Sequence, residues 1–157
     1  MNKSILIFKK LEQLKGAANR KAAKKIAAEV NELDSTNTDV YGRLGFFMLD
    51  RNHFDEAIYA FDKALEIEPF LMQLLFYRAY ARTKKYESKH PRQWVKKGNS
   101  EKLVLNPVNI KSMPAAEKEK ICDDVVRADS LRTIYGYSFD LQLVEISKTY
   151  CGMDVRR

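Results

Sequence analysis

The side chains in this sequence that could do chemistry are few, and their spacing argues against catalysis. The two histidines, His53 and His90, stand far apart. His53 closes a polar run, Asp50-Arg-Asn-His, of the kind that joins two helices, and His90 lies in a basic stretch with no acid or nucleophile at a telling spacing. Asp55-Glu56 and Asp123-Asp124 are adjacent pairs, and adjacent residues on a helix point to different faces. Both pairs are therefore expected as solvated surface and not as a general acid and base. Cys122 and Cys151 are too few for a disulfide scaffold and lack metal-ligand spacing. Reduced thiols are the expected state, with a single bridge as the alternative. No glycine-rich phosphate loop, nucleophile elbow or metal-binding cluster occurs. The chain reads as a non-enzyme that needs no cofactor and no metal.

Its charge pattern is better suited to binding. Twenty-eight basic and 21 acidic side chains leave a net charge of +7, and residues 73–112 alone carry ten basic and two acidic groups. In that segment Tyr77, Tyr80, Tyr86 and Trp94 alternate with Arg78, Arg82, Lys84, Lys85, Lys89, Arg92, Lys96 and Lys97. Cations interleaved with aromatic rings suit phosphate contact and base stacking. They equally suit docking of an acidic protein, or form a merely solvated surface.

The elements that must carry these residues are helices. At 157 residues, 45% of them hydrophobic, the chain can bury a core as one domain, residues 1–157. The six glycines and four prolines are scattered. Apolar stripes of helical period run through Ile5, Phe8, Leu11 and Leu14, ending near Gly16, and through Ala22, Ala23, Ile26, Ala27, Val30 and Leu33. Tyr41, Leu44, Gly45 and Met48 make a third stripe, and Phe54, Ala57, Ile58, Phe61, Ala64 and Leu65 a fourth, ended by Pro69. Residues 71–85 form a fifth helix. Pro91 then interrupts any partner for it, and residues 86–112 are expected as an irregular basic insert. Within the insert the pattern allows a short helix around Arg92–Lys97, and Leu103–Leu105 and Val108–Ile110 read either as extended strands or as an anchored loop. Helix resumes after an N-cap at Ser112, with Pro114 just inside, and runs to about Ala128. A short helix follows from Asp129 to the break at Gly136, and a last one spans Ser138–Tyr150, stopped by Gly152. The apolar run Ile5–Phe8 is shorter than the ~7–15 residues of a signal-peptide core. Nor do ~18 apolar residues occur in a row. A soluble, cytoplasmic protein without membrane contact is expected.

The residues from 38 to 71 carry a familiar spacing. Tyr41-x-x-Leu44-Gly45-x-x-Met48, then Ala57-x-x-x-Phe61, Ala64 and Pro69, resemble the tetratricopeptide repeat, with Tyr41 for the usual Trp and Met48 for the usual Tyr. A step of about 34 residues backward from Ala57, Phe61 and Ala64 reaches Ala23, Ala27 and Val30, so residues 4–37 look like a degenerate repeat. The same step forward from Gly45 reaches Ala79 in a partial repeat, residues 72–85. The resemblance implies an all-α fold of stacked helical hairpins in a right-handed arc, with a basic insert and C-terminal helices, residues 113–157, as a cap.

The family implies a function as well. The first helix of each hairpin lines a concave groove that holds a peptide or protein. By resemblance that groove presents Arg43, Phe46 and Asp50, then Gln73, Phe76, Tyr77, Tyr80 and Lys84. Alternatively, the C-terminal helices fill it from within. Relatives that grip the C-terminal carboxylate of heat-shock chaperones use Lys and Asn where this chain has Gly42, Phe46, Phe76 and Tyr80, so that clamp is absent. The expected function is an adaptor for a protein or peptide partner, an acidic one being favoured by residues 73–112. The rival readings are a nucleic-acid-associated regulator using Arg78, Arg82, Lys85, Lys89, Arg92, Lys96 and Lys97, and a secretion-type chaperone, as small three-repeat relatives of about this length are.

Overall fold

The computed structural model describes residues 2–96, 98, 99, 103–105, 109–136 and 141–155. Helices α1 (Lys3–Lys15), α2 (Arg20–Leu33), α3 (Thr38–Leu49), α4 (Phe54–Ile67) and α5 (Met72–Lys89) lie within two to four residues of the expected spans. A two-stranded antiparallel hairpin follows, β1 (Trp94–Lys96) on β2 (Leu103–Leu105), with Trp94 opposite Leu105. A 3₁₀ turn, Ile110–Ser112, leads to α6 (Ala115–Tyr135) and α7 (Leu141–Cys151). The fold is all-α, and the hairpin is its one departure among the described residues.

Local chemistry accounts for the helix ends. The side chains of Asn2, Asn19 and Asn37 cap α1, α2 and α3 by accepting from the amides of Ser4, Ala22 and Val40. These bonds satisfy donors that a helix start leaves orphaned. Gly136 ends α6 in the left-handed region, φ 69°, which a residue without Cβ adopts at little cost.

Each helix packs on the next, and α1 also reaches α3. Helices α3 and α4 meet closely at Gly45. Gly45 is buried, and a Cβ built on it would lie 2.6 and 2.8 Å from Cδ1 and Cζ of Phe61. Ala57, Ala60, Phe61 and Ala64 are fully buried on the facing side of α4. Gly45→Ala should therefore lower stability by ~1–3 kcal/mol through overpacking, despite alanine's better helix propensity. Urea unfolding followed by circular dichroism measures it, and an unchanged midpoint would show that Phe61 yields freely.

Four expectations are corrected here. The fifth helix does have a partner: α6 packs along α5 from beyond the insert. The two run antiparallel, since Arg127 donates to Pro69 O, Arg78 meets Asp124, and the Tyr86 hydroxyl donates to Asn109 O at 2.7 Å. Nor does α6 break near Ala128; Leu131 is buried with Ala128 and Val125 on one face, and this continuous stripe carries the helix to Tyr135. Ser112 is not its N-cap, because its hydroxyl donates to Asn109 O inside the preceding turn. The short helix expected at Arg92–Lys97 is instead strand β1, paired with β2.

Candidate functional site

The eight residues that the repeat resemblance assigned to the groove are divided by the fold. Arg43, Phe46 and Gln73 line an open groove of about 640 Å³, with Thr38, Asp39 and Gly42 of α3 and Leu71, Met72 and Leu74 at the start of α5. Phe70, in the α4–α5 turn, and Tyr135, at the end of α6, also line it and stand 73% and 62% exposed. Arg43 is fixed between two acids: its Nε donates to Asp39 at 3.0 Å and its Nη1 to Glu12 at 3.1 Å. Partial burial works against its charge, but these two carboxylates outweigh that and raise its pKa. Phe46 stands edge-on to Phe61 and to Tyr77, with ring centroids 5.4 and 4.7 Å away, so it is anchored in the core while its other side faces the groove. Asp50 is exposed at the end of α3 and does not line this groove.

The other half of the expected groove is covered. Phe76 is buried, and Tyr77 and Tyr80 are half-buried. Helix α7 packs on α5, and Tyr80, Lys84 and Glu87 share one small cavity with Ile146, Thr149 and Tyr150 of α7. The Tyr150 hydroxyl donates to Glu87 Oε1 at 2.9 Å, and Lys84 donates to the other oxygen at 2.9 Å. Burial disfavours the Glu87 carboxylate, but these bonds and the nearby Lys84 and Arg92 charges prevail and lower its pKa. Its stabilising effect is therefore present above the ordinary carboxylate range and fades as pH falls through the lowered value. Burial and the Glu87 bond push the Tyr150 phenol up, so it stays a donor well above neutral pH. Tyr80 and Lys84 are therefore not free groove residues, because α7 supplies the face they meet, and Phe76 and Tyr77 are packed on each other and on Tyr80 and Phe46.

The basic segment is also reorganised. Arg78 and Arg82 do not belong to a surface patch. Asp124 of α6, only 2% exposed, accepts from Arg78 Nε at 2.8 Å and Nη2 at 2.5 Å, and Asp62 of α4 accepts from Arg78 Nη1 at 2.6 Å. Arg82 lies 3.7 Å from Asp62 and 3.8 Å from Asp124. Asp124, expected as solvated surface, is thus the inner anion of a charge cluster joining three helices. Lys85 pairs with Asp55 and Arg92 with Glu87. Lys89 and Lys96 are exposed, Trp94 is 64% exposed, and Lys97 lies outside the described residues.

His53 precedes α4 as a half-buried turn residue. His90 stacks on Tyr86, its Nδ1 3.0 Å from the Tyr86 carbonyl, which is a structural role. Cys122 and Cys151, expected as thiols, are joined in a disulfide between α6 and α7. Among the described residues no cluster of three or more His, Cys, Asp or Glu is placed to hold a metal, and no helix is long and apolar enough to cross a membrane.

The sequence carried no signal for Phe70 and Tyr135 as lining residues. One sits in a turn and the other near a helix break, and only the antiparallel packing of α6 on α5 brings them together. No protein-family model matches the chain, and no curated protein matches it in sequence.

Proposed function

We propose that this chain is an adaptor of the tetratricopeptide-repeat type, a binding module and not an enzyme, that captures a peptide or protein partner in the groove between α3, the start of α5 and the end of α6. The observation that supports this most is the groove lining. Arg43, Phe46 and Gln73 are the residues that the repeat spacing points to, and beside them stand two strongly exposed aromatic rings, Phe70 and Tyr135. Exposed rings at an apolar concavity with a few fixed polar groups are the composition of a recognition site. The expected preference for an acidic partner loses much of its basis, because Arg78 and Arg82 are neutralised inside the fold.

Selection from a random-peptide display library tests the reading. Enriched peptides should share a pattern and bind the wild-type chain in fluorescence anisotropy. Phe70→Ser should weaken them by about tenfold or more, as loss of an interface anchor does, with an unchanged thermal melt because Phe70 is a surface residue. Peptides that bind the variant equally well would place recognition elsewhere.

A further inference from the structure

We propose that the Cys122–Cys151 disulfide is a redox latch that holds α7 over the α5 half of the groove, so that reduction uncovers it. The inference rests on the groove reading above for its meaning, but the peeling of α7 stands on its own geometry. Helix α7 is tied at its end, where its last residue, Cys151, is bonded to Cys122 in the middle of α6. It lies on the α5 face that carries Tyr80, Thr83, Lys84 and Glu87. Thr83 is buried there, and the Tyr150–Glu87 bond sits next to the bridge. With the bridge intact the Cys151 end of α7 cannot move far from α6. With the bridge cut, the end carrying Tyr150 and Val155 is held by side-chain packing and by non-covalent bonds, among them Tyr150 to Glu87 and Arg132 Nη2 to the Val155 carbonyl at 3.3 Å.

The chemistry needs a thiol reductant. A thiolate attacks one cysteine sulfur, the S–S bond breaks, and the other cysteine leaves as a thiolate that takes up a proton. A second thiol resolves the mixed disulfide, giving two cysteine thiols and the oxidised reductant. Both cysteines are half-buried, not sealed, so a small thiol can reach the bridge. In a reducing compartment the whole groove would be open, and in an oxidising one only the half at Arg43, Phe46 and Gln73.

Hydrogen exchange by mass spectrometry on the full chain, with and without dithiothreitol, tests this. Losing the closure of a loop 29 residues long should speed exchange in α7 and in residues 80–87 by on the order of a hundredfold, with α1 to α4 unchanged. Cys122→Ser/Cys151→Ser should exchange like the reduced chain whether or not dithiothreitol is present. Equal protection of α7 in both states would overturn the latch. So would loosening spread evenly through α1 to α4, which marks a global staple, or two free thiols in the unreduced, denatured chain. If library-selected peptides bind both redox states alike, the latch fails and the groove reading stands. If no peptide is selected in either state while α7 still peels, the groove reading fails and the latch stands.

Discussion

Asp124→Ala should cost ~3–5 kcal/mol of stability, the penalty for removing one partner of a buried ion pair. The carboxylate is 2% exposed and receives two hydrogen bonds from the Arg78 guanidinium. Without it, Arg78 keeps only Asp62, which is partly solvated and serves Arg82 as well. Arg82 fares worse, since its buried Nε already makes no hydrogen bond and has Asp124 as its nearest anion on α6. Two guanidinium groups would then share one carboxylate in a poorly solvated place. Denaturant unfolding measures the loss, with Asp123→Ala as the control. That neighbour is exposed and should change stability by no more than ~0.5 kcal/mol. Equal effects of the two substitutions would remove the cluster from the account of how α4, α5 and α6 are held. Replacing Asp124 and Arg78 together with apolar side chains should recover much of the loss, because no uncompensated charge remains at that pair.

The second large effect is expected at Phe61. The ring is fully buried, stands against Phe46, and occupies the space that Gly45 leaves open. Phe61→Ala should cost ~3–5 kcal/mol, from lost transfer energy and the cavity it leaves. The informative measurement is the double variant. Gly45→Ala destabilises the wild-type chain because its methyl meets the Phe61 ring. In the Phe61→Ala background the same methyl enters empty space, and glycine's penalty of up to ~1 kcal/mol in a helix interior is relieved. The sign of the Gly45 effect should therefore reverse. Additive effects would mean that the two residues do not meet, since only contacting sites couple strongly.

These two sites differ in how far they could be read before the fold was known. The Gly45–Phe61 contact was legible because an αα-hairpin is local: the 3.6-residue period and a short polar turn fix which faces of α3 and α4 meet. Gly45, Ala57 and Ala64 announce a close crossing by their small size, and Phe61 fills the space that remains. Even at the turn the outcome follows from local chemistry, with Asn52 at φ 60°, a conformation asparagine tolerates. The α2 stripe was legible for the same reason, whereas in α1 only Leu11 and Leu14 of the expected stripe are buried and Ile5 and Phe8 stand exposed.

The charge cluster was not. Arg78 and Asp124 are 46 residues apart, and nothing near Asp124 distinguishes it from the exposed Asp123. Burial of a carboxylate depends on which helix arrives opposite it, and α6 arrives only after an insert that hides its pairing with α5. The same distance effect split the groove. A composition of Tyr77, Tyr80, Lys84 and Arg82 reads as a basic aromatic surface until α4 supplies Asp62, α6 supplies Asp124 and α7 covers the face. Helical period states what a segment must bury. Which distant segment buries it is settled by closing the loops between them, a cost and a gain that no local pattern records.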